Sequence, residues 1–252
     1  MRAKIALLVF FAACGSLHAG WELQKSVNVA SSAAPVAHIQ KTVANDHAVK
    51  LDIVLLDSKK HTLRVIDNAA GRDDLAGAMR GNDCLAGVNG GYFHPDRTPL
   101  GLVISDGQTL HGFERARLLS GILVVTRERI ALLRAGEYKP GREIRQALQA
   151  GPFLVDRGKP VRGLNASARA DRTVVLADNS GRCALLLCRS VTLAELGEIL
   201  SNPRIVTELK VSRAMNLDGG SSSGLWVADE PAPFYRAELK TVRNYLAVVP
   251  RY

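Results

Sequence analysis

From Lys50 onward the chain is cut into short apolar runs of strand length, and that punctuation limits the available folds more than any other feature. Leu51 to Leu56, Leu63 to Ile66, Leu85 to Val88, Leu100 to Ile104, Ile122 to Val125, Ile130 to Leu133 and Phe153 to Val155 are bounded by turn residues and read as strands. Ser105-Asp106-Gly107, Asp156-Arg157-Gly158 and Asn179-Ser180-Gly181 each set a glycine where a tight connection needs positive φ. The strands flanking these turns should therefore pair antiparallel. Thr173 to Ala177 and Ala184 to Leu187 make one such hairpin, and Tyr245 to Val249 supplies a last strand.

Helical signals are fewer. Thr192-Leu193-Ala194-Glu195 has the form of a capping box, and Leu193, Leu196, Ile199 and Leu200 follow at helical spacing until Pro203. Two weaker segments, Asp73 to Arg80 and Arg142 to Leu148, are also expected to be helical. The sum is an α+β fold: a mixed, largely antiparallel sheet with a few flanking helices, in a single domain over residues 50–252. No internal repeat is visible.

Ahead of that domain, Met1-Arg2-Ala3-Lys4, an apolar run from Ile5 to Ala13 and the small or polar residues Cys14 to Ala19 describe a secretory signal over residues 1–19. Cleavage after Ala19 releases a periplasmic or secreted protein. A competing reading takes Ala12-Ala13-Cys14-Gly15 as a lipoprotein box, in which case Cys14 carries lipid and the protein meets the membrane through it. Residues 20–49 read as a loose lead-in.

The net charge of +9, lowered by two when Arg2 and Lys4 leave with the signal, favours an anionic partner. Nucleic acid is not indicated, because the basic residues are scattered and only 5% of the chain is aromatic. For an exported protein, phosphorylated glycans and related phosphate polymers fit better. Without Cys14, the remaining Cys84, Cys183 and Cys188 allow at most one bridge, and buried free thiols are expected. No cofactor is called for, and no metal-ligand spacing is present.

Two segments carry the functional signal. Val88-Asn89-Gly90-Gly91-Tyr92-Phe93 runs an apolar strand into a polar residue and two glycines. Met215-Asn216-Leu217-Asp218-Gly219-Gly220-Ser221-Ser222-Ser223 repeats that form later in the chain. Either could be a plain hairpin turn. A plain hairpin needs neither a second glycine nor three successive hydroxyls, whereas paired glycines let the backbone approach a sugar or phosphate closely. Arg172-Thr173 at one strand start and Arg243-Asn244 before the last strand offer guanidinium groups for a phosphate. Gly151-Pro152 reads as a rigid turn, and His94 lies close enough to the first glycine pair to be weighed as a proton shuttle.

The ordered set Asn89-Gly90-Gly91-Tyr92-Phe93, Gly151-Pro152, Arg172-Thr173, Leu217-Asp218-Gly219-Gly220-Ser221-Ser222 and Arg243-Asn244-Tyr245-Leu246 resembles the phosphodiester glycosidases over about Lys50 to Tyr252. The resemblance implies a hydrolase that cleaves between a sugar's anomeric carbon and a phosphodiester. Where many members carry a third glycine after the aspartate, this chain has Ser221.

On that basis Asp218, Asn89 and Arg172 are the expected catalytic residues. Asp218 would be base or nucleophile, and Asn89 would orient a hydroxyl or the water. Gly90, Gly91, Tyr92, Phe93, Thr173, Gly219, Gly220, Ser221, Ser222, Arg243 and Asn244 would bind substrate. Arg172 and Arg243 would hold the phosphate, and the Gly90, Gly91, Gly219 and Gly220 amides would stabilise its growing charge. The alternative is a non-catalytic periplasmic protein that binds a glycan or phosphate in the same cleft.

Overall fold

A computed structural model of the chain describes residues 20–251; the expected export signal at residues 1–19 lies outside them. The short apolar runs fold into three sheets in which every strand pair is antiparallel. The largest has eight strands in the order Glu22–Asn28, Ala37–Ala44, Ala48–Leu56, Cys183–Val191, Ala170–Ala177, Arg213–Asn216, Phe153–Asp156 and Lys159–Pro160. A second, of five strands, runs Gln108–His111, Val103–Ser105, Gln146–Ala150, Gly121–Val125 and Ile130–Arg134. The third, also of five, runs Phe234–Arg236, Leu225–Val227, Ala86–Asn89, Asn244–Pro250 and His61–Asp67.

Turn chemistry explains the local pairings. Asp106 and Gly107 hold φ of 50° and 85°, and Arg157 and Gly158 hold 52° and 74°. Two successive positive φ values match the twist of antiparallel strands, and glycine in the second place tolerates them without strain.

Strand periodicity then sorts the side chains into cores. Within Ala170–Ala177, Val175 faces a central core while Val174 and Leu176 face the opposite side. All three sheets wall that central core, with Val54 and Leu185 from the first, Leu123 and Leu148 from the second, and Val88 and Leu246 from the third. Leu196, Ile199 and Leu200 of the helix Leu193–Ser201 cover the far face of the largest sheet. Leu75 and Met79 of the helix Leu75–Gly81 cover that of the third. Because the strands are buried on both faces, they read as unbroken apolar runs. Each fully buried Leu, Val or Ile contributes roughly 1.5–3 kcal/mol.

The structure corrects three expectations. The fold is mostly β, not α+β, since the two α-helices among the described residues span only 7 and 9 residues. The expected helix over Arg142 to Leu148 is absent. The strand Gln146–Ala150 takes its place, with Ala147 and Leu148 entering different cores on opposite faces, which is period-two behaviour. The lead-in is not loose either, because Glu22–Asn28 and Ala37–Ala44 extend the largest sheet. Their apolar pattern is hidden. The first strand is exposed throughout, and two inward positions of the second are His38 and Lys41, paired with Asp52 at 3.0 Å and Glu208 at 2.8 Å.

The other two helices stand close to where they were expected. Thr192 and Glu195 form the capping box, and Asp74 caps Leu75–Gly81 by accepting from the Gly77 N–H at 2.6 Å. Cys84, Cys183 and Cys188 are free and buried, and burial pushes the Cys183 thiol up to about 12.

Candidate active site

The two glycine turns meet where the first and third sheets approach each other. The strand Ala86–Asn89 runs into Gly90-Gly91, and the strand Arg213–Asn216 runs into Leu217-Asp218-Gly219-Gly220. Backbone hydrogen bonds join them: the Asp218 N–H donates to the Gly90 carbonyl at 3.1 Å and the Leu217 N–H to the Thr173 carbonyl at 2.8 Å. The Gly90 N–H donates to the Asn244 carbonyl at 2.9 Å. Four segments remote in sequence are thereby brought to one place.

Asn89 is the hub. It is fully buried, its amide nitrogen donates to the Asp218 carbonyl at 2.8 Å, and its Oδ1 accepts from the Thr173 hydroxyl at 2.6 Å and the Gly224 N–H at 3.2 Å. Every polar atom of its side chain is engaged with protein. Asn89 therefore positions the Asp218 turn through these bonds, with one of its two Nδ2 donors used.

The first glycine pair has a similar duty. The Gly91 N–H donates to Asn244 Oδ1 at 2.9 Å, and a Cβ on Gly90 would run into the Asn244 carboxamide. These glycines admit a close approach of Asn244, and their N–H groups are already used. They are not free to stabilise a substrate, as the sequence suggested.

The second pair differs. Gly219 donates to Asp218 Oδ1 at 2.8 Å. Gly220, at φ 63°, opens a short 3-10 turn, Gly220–Ser222, in which Ser222 and Ser223 donate backward to Gly219 and Gly220. The N–H groups of Gly220 and Ser221 have no partner among the described residues, as expected for the opening donors of such a turn. Ser221 is exposed and Ser222 buried. Around the two turns Asn216 Oδ1, Ser223 Oγ and Asn244 Nδ2 are buried without a partner among the described residues. Such groups are costly in a core and recur where a structure is built to bind something.

The electrostatics centre on Asp218. Burial raises its carboxyl above the ordinary 3.8, and the nearby Ser222 hydroxyl, the Gly219 N–H and the charge of Lys240 offset part of that rise. Tyr92 stands beside it: its hydroxyl donates to the Gly151 carbonyl at 2.6 Å and accepts from Asn216 Nδ2 at 3.0 Å. Burial, with the Asp218 charge adding to it, pushes the phenol up to about 12, so Tyr92 stays neutral.

The Arg172 guanidinium lies against the second glycine turn. A Cβ on Gly219 would come within 3.5 Å of its Nη1. Nη2 donates to the Ala168 carbonyl at 2.8 Å and Nε to that of Val191 at 3.3 Å, which aims the group while leaving its charge without a carboxylate partner among the described residues. Burial lowers its pKa, yet arginine stays charged.

Arg243 behaves otherwise. It forms an ion pair with Asp67, while its neighbour Asn244 takes the glycine turn, because successive residues on an extended chain face opposite ways. Arg243 thus meets a carboxylate through Nη1, which Arg172 does not do among the described residues. Thr173 is buried against Asn89, and His94 is exposed on the loop beyond Phe93.

Lys240 is the residue that sequence reading overlooked. Its charge acts on Asp218, and its Nζ sits 5.6 Å from the centre of the Phe93 ring, which Arg97 approaches to 5.7 Å. Nothing local in Glu238-Leu239-Lys240 distinguishes it from a solvated loop lysine; only its proximity to the Arg243-Asn244 segment pointed this way.

One carboxylate of raised proton affinity, a guanidinium without a carboxylate partner and two backbone donors without a partner among the described residues thus surround the second turn. A model described as phosphodiester glycosidase matches residues 82–249, about two thirds of the chain. The fold is similar to the catalytic domain of zebrafish N-acetylglucosamine-1-phosphodiester alpha-N-acetylglucosaminidase, a structure auto-inhibited by its propeptide. That match has a TM-score of 0.64 and 16% identity, over 89% of this chain and 87% of that one. A Synechocystis protein matches with a TM-score of 0.58 and 18% identity, over 86% of this chain and 62% of that one. Among curated sequences, the uncharacterised Escherichia coli protein YigE is 27% identical over 114 residues, 42% of this chain and 45% of that protein's length.

Proposed function

The chain belongs to the phosphodiester glycosidase family, and from that premise we propose that it is an exported enzyme hydrolysing the bond between a sugar's anomeric carbon and a phosphodiester. The observation that supports this reading above the others is the convergence of Asp218, Arg172 and the free Gly220 and Ser221 amides at one turn. N-acetylglucosamine, named in the zebrafish relative, is the first sugar to test.

In this mechanism Arg172 and the Gly220 and Ser221 N–H groups hold the phosphate and take up the charge that grows on it as the C1–O bond breaks. A phosphate monoester is a stable anion and needs no general acid to leave, which suits a site with one carboxylate at its centre. Asp218 accepts a proton from water as the water oxygen bonds to the anomeric carbon. Its raised proton affinity makes it a better base than an ordinary aspartate. The products are the free sugar and the phosphate monoester of the former aglycone. Lys240 and neutral Tyr92 set the field around Asp218, and Asn89 and Thr173 hold the turn in place. The basic N-terminal segment and the anionic substrate both suit action in the bacterial envelope or outside the cell.

The test is incubation of the purified protein with a panel of sugar-1-phosphodiesters. Release of reducing sugar together with a phosphate monoester supports the enzyme. Capture of the intact diester with no release, at Asp218 and Arg172, supports a binding protein instead.

A further inference from the structure

A cleft of about 860 Å³ has a lining that includes Phe113, Arg115, Arg117, Ser120, Arg134 and Tyr138. A chain of packed contacts joins its wall to the reaction centre. Tyr92 donates to the Gly151 carbonyl at 2.6 Å, and the α-carbon of Gly151 is packed by the Leu118 carbonyl and by Ser120, so that a Cβ there would meet the Ser120 nitrogen at 3.0 Å. Ser120 Oγ also accepts from the Phe153 N–H at 2.9 Å. Starting from Asp218, the path therefore runs through Tyr92 and Gly151 to the loop Gly112 to Ser120, the wall of the cleft.

That loop is built rather than loose. Gln149 spans it, with Nε2 donating to the Glu114 carbonyl at 2.7 Å and to the Leu119 carbonyl at 3.3 Å, and Oε1 accepting from the Glu114 N–H at 3.1 Å. Glu114 in turn accepts from the Gly101 N–H at 2.9 Å. So fixed, the loop presents Phe113, stacked on Tyr138 with ring centres 5.8 Å apart and 16° between planes, next to exposed Arg115 and Arg117. The other charges of the cleft are engaged, Glu114 beside His111 at 3.5 Å and Arg134 beside Asp156 at 3.0 Å. Arg115 and Arg117 form no ion pair among the described residues.

We infer that this cleft receives the part of the substrate beyond the scissile phosphate, and that it selects an aglycone carrying a second anionic group, a phosphate above all. Phe113 and Tyr138 offer an aromatic surface to a sugar or polyol, and Arg115 and Arg117 offer two unneutralised guanidinium groups to the second phosphate. The substrate is then one unit of a polyanionic, phosphate-repeating glycan rather than a neutral conjugate. This rests on the proposed function for which side of the phosphate is which.

Binding that needs no turnover tests it. Calorimetric titration compares fructose 1,6-bisphosphate with fructose 6-phosphate on the full mature chain, at about 0.15 M ionic strength where weak surface attraction is screened. The expected result is at least about tenfold tighter binding of the bisphosphate by the wild type, a preference that falls to near unity in Arg115→Ala/Arg117→Ala. Equal affinities in the wild type overturn the inference, and so does a preference that survives the double substitution. Both arginines are exposed, so the variant should fold, which circular dichroism checks. A protein that hydrolyses no sugar-1-phosphodiester fails the proposed function in the separate assay, while this titration still decides the cleft.

Discussion

Asn89 donates its side-chain amide to the carbonyl of Asp218 at 2.8 Å across 129 residues of chain, and the same side chain accepts the Thr173 hydroxyl at 2.6 Å. One buried carboxamide thus bolts the carboxylate turn to two strands. Thr173→Val keeps the shape and removes the hydroxyl, which should cost about 1–2 kcal/mol of stability by denaturant titration. It should also lower kcat more than it raises KM, because the carboxylate is displaced while the phosphate ligands remain.

Asp218→Asn should reduce kcat/KM by several orders of magnitude in the reducing-sugar assay, since it removes the proposed base. Thermal unfolding at neutral pH should show no loss of stability, and a gain is expected. The carboxyl's folded pKa lies above its unfolded value of 3.8, so its burial penalty is absent below 3.8 and fully present above the folded pKa. A neutral amide escapes that penalty.

The acid limb of the pH–rate profile should have its midpoint above 3.8, where Asp218 gains its proton. Lys240 favours the charged carboxylate, so Lys240→Met should move that midpoint further up. A midpoint unmoved by this substitution would show that the lysine does not act on the base.

Arg172 and Arg243 should separate cleanly. Arg172→Gln removes the guanidinium that lacks a carboxylate partner and should lower kcat/KM on the order of a hundredfold. Arg243→Gln breaks the pair with Asp67 and should cost about 1–3 kcal/mol of stability, while active-site titration of the folded fraction finds kcat close to wild type.

Water attack assisted by Asp218 as base inverts the anomeric centre, whereas attack by Asp218 itself retains it after a second displacement. Proton NMR of the first-formed sugar should therefore show the anomer opposite to that of the substrate. A retained anomer would transfer Asp218 to the nucleophile's role.

Much of this was legible in order along the chain. The strands, the Asp-Gly and Arg-Gly turns and the capping box at Thr192 and Glu195 were readable because turn chemistry and capping act within a few residues. The two glycine-paired segments stand out along the chain because hairpins alone do not need them. The strand Ala37–Ala44 was not, since its inward His38 and Lys41 look like surface residues until Asp52 and Glu208 arrive opposite them. The strand Gln146–Ala150, which overlaps the segment Arg142 to Leu148 expected as helix, was hidden because its polar residues Gln146 and Gln149 stand three apart and are both buried on internal bonds, so no alternating polar face reveals a period of two.

By itself the sequence determined which residue types the site could draw on: one aspartate in a glycine-rich turn, an asparagine in its counterpart, and arginines at strand ends. Tertiary structure alone decided their duties. It spent the Gly90 and Gly91 amides and the Asn89 carboxamide oxygen on internal bonds, set Arg243 against Asp67, left Arg172 without a carboxylate partner among the described residues, and brought the Lys240 charge to bear on Asp218. The physical reason is that a hydrogen-bonding group can bind a ligand only where folding has not already satisfied it, and satisfaction is settled by partners scores of residues away.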